Sequence, residues 1–286
     1  MARLIPDGTS ATGVLPVPTP ATLWNVEYEA NLTIQAAHTF ADGVVRSIEG
    51  VNWKSRNTAL ADPSGISLSG DGLKTVITGT TVTTSSWYTD TYQTGPIIFA
   101  DATDLVSGFD MDDTICIQVL TDITYVANTE DNGYFYGGLM AFDGSYTGAT
   151  PTGDWYYVSL LRSSSNFYAT RTGAASTIDT QATGAGTPTF QELIIYPGTG
   201  FSSGASMDNV FQVPGAVTTY RAYGNLEQTA SGSVANNPGG GGASDPSWKL
   251  APANLKLGMW SAYLTNGTRD GSVTAKFLKV RVLRRL

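Results

Sequence analysis

Val273-Thr274-Ala275-Lys276-Phe277-Leu278-Lys279-Val280-Arg281-Val282 is the stretch on which the reading of this chain turns. Val273, Ala275 and Phe277 alternate with Thr274 and Lys276, the period of two that sends successive side chains to opposite faces of a sheet. From Leu278 the alternation resumes through Val280 and Val282, one residue out of phase. A β-bulge absorbs such a slip by setting two residues of one strand opposite one of its neighbour. The stretch is therefore predicted as a single bulged strand.

The same period recurs toward the N-terminus. Val26, Tyr28, Ala30, Leu32 and Ile34 alternate with Glu27, Glu29, Asn31, Thr33 and Gln35, which predicts a strand over 26–35 with one face inward and one in water. Ile66-Ser67-Leu68 runs up to Asp71-Gly72, a tight-turn pair, and Leu73-Lys74-Thr75-Val76-Ile77 returns from it as a hairpin. Pro96-Ile97-Ile98-Phe99 and residues 114–120, 134–142, 155–161 and 167–170 continue the series, separated by clusters of Gly, Asn, Asp and Ser. No 3.6-residue period persists beyond two turns. Residues 174–189, rich in Gly, Ala and Thr, and residues 236–242 read as loops outside the core. Pro6, Pro16, Pro18 and Pro20 stand among Gly and Thr in residues 1–22, a composition that favours extended, unpaired backbone. This segment is an extended N-terminal arm: either a disordered tail, or an arm that orders on a neighbouring subunit or a larger assembly. Residues 23–286 then form one domain, an all-β, two-sheet antiparallel β-sandwich.

Composition supports that class. Charged residues make up only 14% of the 286 residues, against roughly 25% in an ordinary soluble domain, so Ser, Thr, Asn and Gly must cover the surface. The 32 glycines and 13 prolines punctuate many short strands. A net charge of -8 opposes binding to a phosphate backbone, so no nucleic acid is expected as a partner. Positive charge gathers only in Lys276, Lys279, Arg281, Arg284 and Arg285, read either as a solvated strand face or as a contact for an acidic surface or a phosphate. The lone Cys116, flanked by Ile115 and Ile117, excludes an internal disulfide and suggests a buried thiol. Met1-Ala2-Arg3-Leu4-Ile5-Pro6 opens without the apolar run of an export signal, and no stretch is apolar enough to span a membrane as a helix. Synthesis in a cytoplasm, without membrane insertion, is the resulting expectation.

Three segments taken in order resemble the concanavalin A-like lectin and glucanase superfamily. They are Ile66-Ser67-Leu68-Ser69-Gly70-Asp71-Gly72-Leu73; then Gly137-Gly138-Leu139-Met140-Ala141-Phe142-Asp143 with Trp155-Tyr156-Tyr157-Val158-Ser159-Leu160; then Leu255-Lys256-Leu257-Gly258-Met259-Trp260-Ser261-Ala262 with Val273-Thr274-Ala275-Lys276-Phe277-Leu278-Lys279-Val280. The resemblance spans most of residues 60–286. It implies a jelly roll of two curved antiparallel sheets, with a ligand groove on the concave face that aromatic rings line when the ligand is a sugar. Trp87, Tyr88, Tyr92, Trp155 and Tyr157 are the candidate glycan-stacking residues. Adjacent pairs such as Trp87-Tyr88 have a plainer use, one ring in the core and one on a sheet face.

Catalytic constellations are absent from the sequence. Glucanases of that superfamily carry paired Glu residues around an Asp on one strand face, because retaining hydrolysis needs acid and nucleophile about 5 to 5.5 Å apart. Asp110-Met111-Asp112-Asp113 lacks the Glu residues, and Glu27 and Glu29 have the i, i+2 spacing but no Asp between them. His38 is the only histidine, which excludes a multi-histidine metal site and leaves a nucleophilic triad to rest on that residue alone. Asp101, Asp104, Asp110, Asp112 and Asp113 offer oxygen ligands without the spacing of a calcium loop. No catalytic residue, metal site or cofactor is assigned.

A sandwich with a Pro-rich arm, no export signal, a Ser/Thr/Gly surface and no catalytic pattern is similar in style to bacteriophage virion proteins, which leave the host by lysis. The expected function is a non-enzymatic virion surface protein of the head-decoration or fibre type. Its arm would hold it to other capsid or tail proteins, its sandwich would contact host surface glycan, and it would form a homo-oligomer. The alternative is a bacterial carbohydrate-binding module or a glucanase-like glycoside hydrolase.

Overall fold

One strand touches three others and sets the frame. A computed structural model of the chain describes residues 23–56, 66–78, 96–110, 113–126, 133–143, 146–147, 150–151, 155–161, 166–171, 176–182, 188–195, 217–224, 227–235, 255–265 and 272–286. The strands are β1 (Trp24–Asn31), β2 (His38–Phe40), β3 (Val45–Ile48), β4 (Val51–Arg56), β5 (Ile66–Ser69), β6 (Gly72–Thr78), β7 (Ile97–Asp101), β8 (Ile115–Val126), β9 (Gly133–Asp143), β10 (Tyr146–Thr147), β11 (Thr150–Pro151), β12 (Trp155–Leu161), β13 (Asn166–Arg171), β14 (Ser176–Ala182), β15 (Pro188–Ile195), β16 (Val217–Gly224), β17 (Glu227–Ala235), β18 (Leu255–Thr265) and β19 (Ser272–Arg285). Among the described residues one α-helical turn, α1 (Ala102–Leu105), interrupts them.

Two antiparallel sheets result. The first runs β17-β16-β15-β8-β19-β6-β5-β2, with β1 also on β19; the second runs β14-β13-β12-β9-β18-β7-β4-β3. One continuous core of buried residues is drawn from both, with Phe40, Leu73, Ile117, Phe277 and Val282 from the first and Trp53, Ile98, Leu139, Leu257 and Met259 from the second. This is the two-sheet antiparallel sandwich that the alternation predicts.

The slip at Leu278 is real. Along one edge β19 pairs with β8 throughout, from Ser272↔Val126 to Arg284↔Ile115, and the register shifts between Phe277 and Lys279. Along its other edge Ser272 to Phe277 pair with β6, and Lys279 to Arg285 pair with β1. Ala275 and Phe277 before the bulge and Val280 and Val282 after it are all buried in the same core. Without the extra residue the second half would turn its valines to the opposite face.

The first strand departs from expectation at both ends. β1 stops at Asn31, and Leu32 to Ile34 form a 3-10 turn. The Asn31 side-chain oxygen accepts hydrogen bonds from the Thr33 N–H at 3.1 Å and the Thr33 hydroxyl at 2.8 Å, a local alternative that ends the strand ladder. Tyr28, Ala30 and Leu32 are buried as the alternation predicts, but Ile34 is 75% exposed and Val26 51% exposed. The register with β19 shifts between Val26 and Tyr28, which takes Val26 out of the inward series.

The predicted hairpin is β5 and β6, with Ser69 opposite Gly72. Gly72 has φ +93°, a left-handed conformation that favours glycine, and a Cβ there would press on the Phe277 carbonyl. Residues 174–189, read as loop, contain β14 and the start of β15. Their strand character comes from pairing with β13 and with β8 and β16 rather than from side-chain periodicity. Residues 236–242 and the arm, 1–22, lie outside the described residues.

Two polar ties cross the core. Tyr28 of β1 donates its hydroxyl to the Ile48 carbonyl at 3.0 Å and accepts from Trp53 Nε1 at 3.0 Å, the rings being 5.9 Å apart. Burial holds the Tyr28 hydroxyl well above the usual phenol range, so it stays protonated and keeps donating. Thr75 of β6 and Ser261 of β18 share a buried hydroxyl–hydroxyl bond of 2.7 Å. Removing a buried hydroxyl with two partners strands both of them, at about 1–3 kcal/mol. Tyr28→Phe, which keeps the ring, should therefore lower unfolding free energy by about 1–3 kcal/mol in urea titration. An unchanged midpoint and slope would show that the hydroxyl is not holding the sheets together.

Candidate functional site

Residues directly opposite in neighbouring strands share a sheet face, so the register sorts the side chains that do not enter the core. On the outward face of the first sheet, Glu29, Arg281, Gln118 and Glu192 form one row across β1, β19, β8 and β15. Arg281 donates to Gln118 Oε1 from Nε at 3.1 Å and from Nη2 at 2.8 Å, and Gln118 Nε2 donates to Glu192 Oε2 at 2.7 Å. At the open end Glu29 accepts from Lys279 Nζ at 2.8 Å and faces Arg281 Nη1 at 3.6 Å. Gln118, Glu192 and Arg281 are buried although they lie on an outward face. Burial pulls the Arg281 guanidinium below its ordinary range, against the opposing pull of Glu29, Cys116 and Glu192. Beside this row Cys116, buried as expected, packs with Leu283 and Trp24 apart from the main core.

The basic cluster dissolves into this sheet. Lys276 pairs with Asp122 at 3.8 Å, Lys279 and Arg281 with Glu29, and Arg284 with Asp113 at 2.8 Å. Arg284 also donates to the Ser107 carbonyl at 2.9 Å. Four of the five cations named from sequence thus have carboxylate partners within the domain. The Asp-rich stretch is used similarly: Asp101 faces Lys256 at 3.3 Å, and Asp113 accepts the Asp110 N–H at 2.9 Å.

The second sheet presents a different outward face. Its register rows read Lys54–Phe99–Gly258–Met140–Tyr157–Thr170, then Arg56–Ile97–Trp260–Gly138–Ser159–Tyr168, then Asp101–Lys256–Phe142–Trp155. Phe99, Met140, Ile97 and Trp260 are buried but lie outside the core cluster. Gly258 leaves room between them, since a Cβ would come within 3.0 Å of Ile97 Cδ1 and 3.1 Å of Phe99 Cβ. Two of the five candidates from sequence, Trp155 and Tyr157, thus occupy register positions in rows with Phe99, Met140 and Lys256. Trp87, Tyr88 and Tyr92 lie outside the described residues. Sequence reasoning did not single out Trp260, Phe99, Met140 or Gly258 for this face; the signal was in the pairing register, which a single strand does not reveal.

His38, on the edge strand β2, sets its ring edge-on to Phe40 with centroids 4.7 Å apart. Desolvation, and to a lesser degree the Arg46 charge, lowers its pKa from the ordinary 6.5. Among the described residues no group of three or more His, Cys, Asp or Glu side chains converges as metal ligands do.

No family model and no curated protein matches the chain. Among solved structures, it is similar to an endo-1,3-β-glucanase from Streptomyces sioyaensis at 13% identity and a TM-score of 0.48, covering 94% of this chain and 99% of that one. It is also similar to alginate lyase A1-II', a member of polysaccharide lyase family 7, at 14% identity and a TM-score of 0.41, covering 79% and 82%. Peanut lectin is similar at 8% identity and a TM-score of 0.38, covering 90% and 96%. At these scores the likenesses carry no argument about activity or ligand.

Two outcomes follow from the charged groups. Arg281→Met should cost about 1–3 kcal/mol, because it removes both donors to the buried Gln118 Oε1. Adding Glu192→Gln should recover part of that loss in urea unfolding; simple additivity of the two changes would show that the row is not one coupled network. For His38 the sign is set by its lowered pKa. The unfolded chain takes up a proton that the folded chain refuses, so stability is fully present above 6.5 and is lost as pH falls through the lower folded value. His38→Gln should flatten that loss in urea midpoints followed from about pH 7.5 down to about pH 5. A slope identical in both proteins would remove His38 as its source.

Proposed function

We propose that this chain is a non-catalytic surface protein of a bacteriophage virion, of the head-decoration or fibre type. Residues 1–22 hold it to other virion proteins, and the outward face of its second sheet contacts host glycan. The observation that supports the glycan part is the register that sets Trp155 and Tyr157 two residues apart on β12, in adjacent rows of that sheet. Sugar rings present apolar C–H faces that stack on aromatic rings, and a few fixed rings suffice because no ionisable group has to react. Lys54 at the end of one row adds a donor for hydroxyl or acidic groups of a polysaccharide.

The non-catalytic part is supported by how the acidic candidates are used. Glu29 is engaged by Lys279 and Arg281 in the polar row of the first sheet, which uses it to join β1 to β19. The virion setting is supported by the Pro-rich arm, the Ser/Thr/Gly surface and the low charge content.

Purified protein screened against host-envelope polysaccharides should bind without releasing reducing ends. Trp155→Ala and Tyr157→Ala should each weaken binding several-fold, as the loss of one stacked ring worth about 0.5–1.5 kcal/mol does. Turnover that Glu27→Gln with Glu29→Gln abolishes would move the protein to the glycoside hydrolases and overturn this reading.

A further inference from the structure

Among the described residues, His38 Nε2 and Arg46 Nε are shielded from solvent and have no hydrogen-bond partner. A shielded polar group left unpaired costs about 1–3 kcal/mol, so a fold keeps one where something else meets it. β2 ends the path of the first sheet and β3 that of the second, and residues 41–44 join them. His38 stands opposite Leu68, which stands opposite Leu73, and Arg46 stands opposite Trp53. Leu68, Leu73 and Trp53 all belong to the core. The register therefore turns both side chains inward, each from the edge of its own sheet toward the gap between the two.

The Arg46 guanidinium reaches across to the chain around His38. Its Nη2 donates to the Ala36 carbonyl at 3.2 Å, two residues before His38. In a planar guanidinium the Nε–H runs parallel to an N–H of the neighbouring terminal nitrogen, so it opens into the same space. The Arg46 charge acts on His38 there, lowering its pKa together with the larger effect of desolvation. Among the described residues no carboxylate offsets that charge. Glu49 accepts from Gln35 Nε2 at 2.8 Å, Asp42 faces Arg56 at 3.6 Å, and β5 sets the uncharged Leu68 against His38. Both side chains are partly exposed, and the neighbouring Ala36 and Ala37 are small and exposed, so an incoming ion displaces no bulky side chain of that segment.

We infer that His38 and Arg46 form a binding site for a small oxyanion, a carboxylate, sulfate or phosphate group, held between the Arg46 Nε–H and the His38 Nε2–H. One oxygen accepts from the guanidinium and another from the imidazole, while Nη2 keeps its bond to the Ala36 carbonyl. Charge-assisted bonds of this kind are about twice as strong as neutral ones, so an anion is preferred over a sugar hydroxyl. The anion supplies the negative charge that this edge of the sandwich lacks, and it ties β2 of the first sheet to β3 of the second. Its binding is coupled to a proton: the anion favours the imidazolium, and the imidazolium favours the anion by the same factor. The site lies at the joined edges rather than on the outward face of the second sheet, so it stands whether or not Trp155 and Tyr157 stack on sugar.

His38 is the only histidine, so the full chain has a single imidazole to follow by proton NMR. From about pH 8 down to about pH 4, its titration midpoint should move up when sulfate replaces chloride at equal ionic strength, and sulfate should bind about fivefold more tightly to the imidazolium than to the neutral ring. Arg46→Gln should raise the midpoint in chloride and abolish the sulfate effect. Arg46→Lys keeps the charge without the parallel donors, so it should hold the chloride midpoint and lose most of the sulfate effect, and it decides the question if Arg46→Gln unfolds. Lys74→Gln, opposite Lys276 on the first sheet, should respond as the parent does. At about pH 6, acetate, galacturonate and galactose distinguish the source of the anion. Galacturonate binding more tightly than acetate assigns the site to an acidic sugar, and equal binding assigns it to a free ion, with galactose silent in both cases. Equal midpoints in chloride and sulfate would leave a bridging water between the two nitrogens and overturn the site. A sulfate effect undiminished in a folded Arg46→Gln or Arg46→Lys chain, or galactose acting as strongly as galacturonate, would overturn it as well.

Discussion

The sandwich depends on the bulge at Leu278. Among the described residues β19 alone meets β8, β6 and β1, and it does so with two halves whose hydrophobic series are out of phase. Inserting one residue keeps Ala275 and Phe277 on the same face as Val280 and Val282. It also divides the strand's second edge between two partners, because the ladder to β6 ends at Phe277 and the ladder to β1 begins at Lys279. The close approach of Gly72 to the Phe277 carbonyl belongs to the same device: the hairpin of β5 and β6 can come against β19 there only without a Cβ.

Around this frame the polar groups divide into two kinds. Within the core they are few and doubly used, as at Tyr28, which links the two sheets through Ile48 and Trp53, and at the Thr75–Ser261 pair. On the outward face of the first sheet they form a continuous row in which Gln118 stands between a cation and a carboxylate. An amide suits that place because it presents an acceptor on one side and donors on the other. Buried charges are costly unless paired, so Arg281 and Glu192 hold each other in place through Gln118 and thereby fix the relative positions of β19, β8 and β15.

The two outward faces therefore differ in kind. Charge on the first is spent internally, as the pairing of Lys276, Lys279, Arg281 and Arg284 with Asp122, Glu29 and Asp113 makes plain. On the second, Ile97, Phe99, Met140 and Trp260 are buried outside the core cluster, and Lys256 and Arg56 are paired with Asp101 and Asp42.

The sequence by itself determined the strands with sustained alternation, the β5–β6 hairpin, the bulge and the burial of Cys116, because each depends on side chains a few residues apart. It determined less where pairing replaces periodicity. β2, with three residues, is too short to show a period, and β14 falls in a stretch of Gly, Ala and Thr that acquires strand form from its neighbour β13. Asn31 ended β1 early through a side-chain bond that alternation does not register. Only the tertiary structure decided which residues share a face across strands distant in sequence. Gln118 meets Arg281 across 163 positions and Glu192 across 74, and Gly258 lies between Phe99 and Met140. Local chemistry specifies which residues turn inward, but the order in which strands lie side by side is set by closing the whole core, and that order assembles a surface.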